Sequence, residues 1–380
     1  MATRILMTVA AIANLTTGSH PLQRDVDAII ATGASGILVQ VQSGEAGQSF
    51  RAGIAEHDSH RPVPWNAYYR IGSDTKTFTA VIALQLVGEG KLALTDTVEK
   101  WLPGLIRGNG NDGRKITVKN LLRQTSGLPD YVPQLPIGKD LTPDGYLRER
   151  FRTFTPRALV KLAMRQPPQW MPGDTDPAEE TRWAYSNTNY LLMGLIIEKV
   201  TGHPWAREIH DRILRPLGLR HTITPGTSAY VPEPTARAYS WFPGATRPTD
   251  TSILATGGPD GGLISTPGDL TTFLRALLGG RLLKPEQLAA MRQTVEAKDW
   301  IAAAGTRYGL GIAWRPATGC AHGIWFHGGT NLGIVSESGV TGDGRRAAAA
   351  ATFTLRFSAA QIPQDKASIA LIDHALCRPD

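Results

Sequence analysis

The stretch Ile71-Gly72-Ser73-Asp74-Thr75-Lys76 runs on into Thr77-Phe78-Thr79-Ala80-Val81-Ile82-Ala83-Leu84-Gln85-Leu86-Val87, joining a strand-like segment to an apolar helix. Residues three apart on a helix share a face, so Ser73 Oγ and Lys76 Nζ are expected to meet. A serine hydroxyl is a poor nucleophile at neutral pH until a base takes its proton. Burial favours the uncharged form of a lysine, which makes Lys76 a candidate for that base. Ser73 is also expected at a helix N-terminus, where free N–H groups and the positive dipole end favour a developing oxyanion. A Ser-x-x-Lys pair recurs by chance in chains of this length, so its weight depends on what else the sequence supplies.

The chain of 380 residues has room for one large domain or two packed lobes. A hydrophobic content of 42% describes an ordinary globular chain. Net charge is +7, but charged residues make up only 19% and no long basic block occurs, which argues against a nucleic-acid partner. Arg4 precedes a short apolar run, residues 5–13, that makes a minimal export signal; the cytoplasm is favoured over secretion on that ground. No other apolar run approaches membrane-spanning length, and no stable membrane insertion is expected. Two cysteines, Cys320 and Cys377, read either as unrelated thiols or as one disulfide tying the tail helix to the sheet.

Residues 1–20 read as a tail or weak signal and 21–380 as a single catalytic domain, with an α/β lobe (21–72 and about 300–380) and a mostly helical lobe (about 73–299). Apolar spacing predicts a helix over 21–32, strands over 37–42 and 48–55, and helices over 118–123, 156–166, 190–201, 204–214 and 267–278. The period returns to strands over 310–314, 323–326, 333–337 and 345–354, with a closing helix over 359–375. Strands from both chain ends with a helical insert between them imply an α/β chain of the α+β type: an antiparallel sheet flanked by helices beside a helical lobe. His57, Asp58 and His60 read as a polar turn and His203 and His210 as structural, so no metal is expected.

Three further stretches bear on the chemistry. In Trp183-Ala184-Tyr185-Ser186-Asn187-Thr188-Asn189-Tyr190, an extended backbone puts Tyr185 and Asn187 on one side. A tyrosine buried near lysines is expected to hold a lowered pKa and relay protons, while an asparagine amide orients a substrate carbonyl. Trp325-Phe326-His327-Gly328-Gly329-Thr330 lies at a strand edge, where glycines let backbone approach a ligand. Gln124-Thr125-Ser126-Gly127-Leu128-Pro129-Asp130-Tyr131 is a turn-rich loop after a short helix.

Ser73-x-x-Lys76, Tyr185-x-Asn187 and His327-x-Gly329, in that order, resemble the three active-site motifs of serine penicillin-recognising enzymes. The likeness is to the D-alanyl-D-alanine carboxypeptidases and the class C β-lactamase-like esterases and transacylases, and it runs from about Pro21 to Cys377. It implies a β-lactamase/DD-peptidase-like fold, with Ser73 as nucleophile and Lys76 and Tyr185 sharing proton transfers. Asn187 would position substrate, and the N–H groups of Ser73 and Thr330 would bind the oxyanion beside Gly328 and Gly329. His327 would replace the commoner lysine of the third motif, adding polarity beside the tyrosine. Cys320 and Cys377 fall where some of these carboxypeptidases have a disulfide. No cofactor is implied.

The sequence departs from the carboxypeptidase pattern where a substrate's terminal carboxylate would be held. Gly328 stands for a usual threonine, Ala313 for an arginine, and an acidic segment, residues 174–180, precedes the tyrosine motif. Losing an arginine–carboxylate contact removes the strongest handle for a free C-terminal peptide. The expected partners are therefore a small-molecule acyl donor, ester or amide, and water or an amine as acceptor. A carboxypeptidase or β-lactamase of cell-wall metabolism is the alternative, and a penicillin-binding sensor that does not turn over is a second. Neither His-Glu-x-x-His nor Gly-x-Ser-x-Gly occurs.

Overall fold

The computed structural model of the protein describes residues 20–173, 181–298, 300–301 and 303–377. The leader-like run and the acidic segment 174–180 lie outside the described residues. Helix α1 (Pro21–Ala31) begins at Pro21, with the His20 ring accepting from the Leu22 N–H, and buries Leu22, Val26 and Ile29. Strands β1 (Gly36–Ser43) and β2 (Ala46–Gly53) form a hairpin closed by Gly44-Glu45, with Gly44 at φ +55°. The other sheet strands come from the far end of the chain: β3 (Val295–Glu296), β4 (Arg307–Tyr308), β5 (Ala313–Ala317), β6 (Cys320–Asn331), β7 (Ile334–Thr341) and β8 (Arg346–Thr352). They assemble in the order β2-β1-β8-β7-β6-β5-β4-β3, antiparallel at every pairing.

Strand alternation divides the core in two. Ile37, Val39 and Val41 of β1 and Ala348 and Ala350 of β8 pack against α1 and the closing helix, while Leu38, Ala347, Ala349 and Ala351 join the larger core on the other face. That larger core holds α2 (Thr75–Gly88), α3 (Thr188–Thr201) and α4 (Pro267–Leu278). The closing helix is α5 (Ile362–Cys377). Apart from Gln85, every residue of α2 from Thr75 to Leu86 is buried, so the helix is apolar on nearly every side because it is enclosed on nearly every side.

Three boundaries differ from the sequence reading. The strand expected over 323–326 extends through Asn331, because β7 pairs with it from Ile324 to Asn331 and carries the glycine motif inside the sheet. The strand expected over 310–314 starts only at Ala313, since Gly311 takes φ +84° in a turn closed by a Gly309 N–H to Ile312 carbonyl bond. The helix expected over 204–214 passes into a π-helical turn at His210–Leu214.

Cys320 and Cys377 are bonded, 57 residues apart, tying the start of β6 to the end of α5. The open choice about the cysteines thus closes in favour of a bridge. A persistent disulfide is the mark of an oxidising compartment. His57 stacks on Tyr239 at 3.8 Å and shares a hydrogen bond with Ser35, and His203 pairs with Glu208. Among the described residues no helix is long and apolar enough to cross a membrane.

Candidate active site

Ser73 sits in a single 3₁₀ turn, Gly72–Asp74, that leads directly into α2. Gly72 has φ +53°, and a Cβ there would stand 2.9 Å from the Thr330 amide nitrogen. A Cβ on Gly329 would come within 1.8 Å of the Ile71 carbonyl oxygen and 2.9 Å of the Ser73 nitrogen. Glycine at both positions is what lets the nucleophile turn lie against the edge of β6. Asn331 and Ile334 close the two-residue turn between β6 and β7. Antiparallel alternation then turns the Thr330 N–H away from β7, toward the edge that β5 leaves uncovered beyond Phe326.

Lys76 is fully buried and donates three hydrogen bonds: to Ser73 Oγ at 2.9 Å, Asn187 Oδ1 at 2.7 Å and the Asp260 carbonyl at 2.6 Å. Burial pulls its pKa down to about 8 against the opposing pull of Asp260, Asp130 and Asp74. A lysine near 8 keeps a neutral fraction at neutral pH, and loss of the proton aimed at Ser73 leaves a lone pair facing the hydroxyl. Asn187 is oriented from behind, its Nδ2 donating to Asp130 Oδ2 at 2.9 Å. Tyr131 donates to Asp260 Oδ2 at 2.7 Å, fixing the segment whose carbonyl meets Lys76. Ser73, Tyr185 and Asn187 open on one cavity of about 990 Å³, with Lys76 sealed beneath them.

Tyr185 corrects the sequence expectation. Its hydroxyl hydrogen-bonds the Ser73 side chain, and its ring lies 4.9 Å from Lys76 Nζ. Yet burial, with Tyr308 nearby, pushes its pKa well above the usual phenol range instead of lowering it. Lysine proximity does not win because desolvation of a phenolate outweighs it. Tyr185 is therefore held as a neutral phenol.

His327 is also differently engaged. Its Nδ1 donates to the Gly328 carbonyl at 2.7 Å, so Nε2 is the acceptor and takes the Tyr308 hydroxyl at 3.0 Å. Burial and the Lys76 charge lower its pKa to about 3, leaving the ring neutral. Its hydrogen-bond partners are Tyr308 and its neighbour's backbone, and the ring is fully buried.

Known proteins provide the next comparison. The Beta-lactamase family model matches residues 22–370. The chain belongs to the Beta-lactamase family. A D-stereospecific amidohydrolase from Streptomyces sp. superposes with a TM-score of 0.82 at 38% identity, covering 94% of this chain and 98% of that one. A D-amino acid amidase from Ochrobactrum anthropi SV3 gives 0.78 at 25% identity, covering 93% and 97%. A putative D-alanyl-D-alanine carboxypeptidase of Escherichia coli K12 is 29% identical over 56% of this chain and 51% of its own length. The chain spans about half or less of the length of the first curated relatives it matches, from 27% to 51%. The fold and the serine-hydrolase class of this Beta-lactamase family member follow.

Several residues of this Beta-lactamase family site escaped the sequence reading. Asp130 lay inside a quoted loop, but its contact with Asn187 spans 57 residues. Asp260 meets Lys76 through a backbone carbonyl, which no side-chain motif reports. Ala313 is buried against Tyr308 and Phe326, and Arg315, two residues on, is bonded to Asp373 of α5 at 2.6 Å. No signal short of the fold distinguishes that arginine from one serving the cavity.

Proposed function

We propose that this protein forms an acyl-enzyme on Ser73 from an amide or ester of a D-configured acyl donor and passes the acyl group to water or to an amine. The observation carrying this reading is the Lys76 to Ser73 contact at 2.9 Å, from a lysine whose other donors are held by Asn187 and the Asp260 carbonyl. Neutral Lys76 takes the Ser73 proton as Oγ attacks the carbonyl, and the N–H groups of Ser73 and Thr330 receive the negative oxygen. Collapse expels the leaving amine or alkoxide, which takes its proton from Lys76 by way of Tyr185. Water or an amine then attacks the ester, giving up its proton along the same route, and Ser73 Oγ departs with a proton restored.

The amidohydrolase and amidase neighbours support the D-configuration and the amide bond. Ala313, Gly328 and the engagement of Arg315 with Asp373 favour a donor without a free terminal carboxylate. The carboxypeptidase relative supports the second reading, release of D-alanine from a peptide. Intact-mass and product analysis with D-amino-acid amides, their methyl esters and diacetyl-Lys-D-Ala-D-Ala, with and without added amine, decides between them. Turnover of the amides or esters with an amine-dependent product supports transfer. Efficient D-alanine release with no amine product overturns it, and a stable adduct without release identifies a sensor.

A further inference from the structure

The cavity that opens on Ser73 has a second chemical character farther along β6. Phe326, Gly328, Trp300 and Glu337 share its wall with the nucleophile. Glu337 lies directly across from Gly328 in the β6–β7 ladder, so both face the same side of the sheet. A Cβ on residue 328 would stand 3.4 and 3.6 Å from the two Glu337 carboxylate oxygens. With glycine there, position 328 sets no side chain against the carboxylate. Its position is two residues along the strand from Thr330.

The electrostatics ask for a cation. Burial, reinforced by the carboxylates of Asp74 and of Asp365 on α5, pushes Glu337 up to about 8. Asp365 lines the same cavity and is itself raised by burial. Arg315 of β5 is the cation that faces Glu337, but it is bonded to Asp373 at 2.6 and 3.0 Å. The rings of Trp300 and Phe326 lie 5.9 Å apart at 24° and border the same cavity, with the Arg315 guanidinium 5.5 Å from the Phe326 ring centre. A carboxyl group and aromatic rings lining one partly dry cavity are the chemistry that holds an ammonium group.

We propose that Glu337, left uncovered by Gly328, is a specificity-determining residue that binds a protonated amino group of the substrate. The proposal rests on the acyl-transfer reading for the place of that substrate beside Ser73. The amino group belongs either to the acyl part, as in an amino-acid amide with a free α-amine, or to the leaving or accepting amine. In either place its positive charge would draw the proton off Glu337 and pair with the carboxylate that results.

Binding is tested first without chemistry, on the full chain. n-Butylammonium chloride should raise the Tm of the wild type above a matched sodium chloride control, and n-butanol should not. Glu337→Gln should abolish that shift, and Gly328→Ala, which leaves the carboxylate in place but covers it, should weaken it. Kinetics then locates the amine: kcat/KM for D-phenylalanine p-nitroanilide against its N-acetyl form, and aminolysis by 1,4-diaminobutane against n-butylamine. For one of these pairs the preference for the cationic member should fall about tenfold in Glu337→Gln, the size expected of a lost charge-assisted hydrogen bond. An ammonium shift that persists in Glu337→Gln, or is absent from the wild type, overturns the subsite. Absence of turnover on every donor, with the ammonium shift intact, overturns the acyl-transfer reading and not the subsite.

Discussion

The Asp74 carboxylate accepts a 2.7 Å hydrogen bond from the Ser336 hydroxyl, a contact between residues 262 positions apart. Its other oxygen takes Ser338 at 2.6 Å. The residue after Ser73 thus clamps the Ser73 turn to β7, the strand paired with β6. The clamp is enclosed: Asp74 is 2% exposed, and Tyr69 also meets Ser336.

That enclosure predicts a pH-dependent stability. Burial raises Asp74 from 3.8 to about 7, so the folded state holds its proton more tightly than the unfolded chain does. The group's contribution is greatest below about pH 4, declines as pH climbs to about 7, and is constant above. Asp74→Asn removes the titration. The Tm of this variant relative to wild type should therefore move upward between pH 4 and 7, and a difference flat across that window would be contrary to the burial argument.

Acylation should follow the free-base form of Lys76. With a pKa near 8, the rate of Ser73 acylation by a neutral ester should rise through that pH and level off above it. Lys76→Ala should lower turnover by roughly 10²–10⁴-fold and remove the inflection. An unchanged inflection in that variant would assign the titration to another group.

Tyr185→Phe should lower turnover without unfolding the protein, since the ring keeps its stacking on Trp300 at 5.6 Å. Combined with Lys76→Ala, the loss should be far less than the product of the two, because groups in one proton route fail together. Multiplicative losses would mean that the two serve separate steps.

A fluorophosphonate probe should modify only the peptide containing Ser73, and Ser73→Ala should abolish the label. Peptide mapping by mass spectrometry reads this directly. An adduct elsewhere would remove the mechanism.

Thiol titration of denatured protein from its native source should find no free thiol. Cys320→Ser opens a loop of 57 residues and should cost about 4 kcal/mol by the loop-closure model, read from denaturant unfolding. Two free thiols in native-source protein would be contrary to the bridge.

Sequence alone determined the parts of this protein that are local or periodic. Ser73 and Lys76 meet because helical spacing puts residues three apart on one face, and Tyr185-x-Asn187 shares a side because extended backbone alternates. The two-ended sheet around a helical insert was legible from where the hydrophobic period changes. Tertiary structure alone decided what surrounds these groups. Asp130 behind Asn187, the Asp260 carbonyl at Lys76 and the serines on Asp74 are brought in across 57 to 264 residues, distances at which no pattern reports contact. The direction of the Tyr185 pKa was likewise set by how completely the fold excludes water, a property of the whole packed cavity. Glu337 faces an opening only because β7 pairs it with a glycine, and that register exists only in the folded sheet.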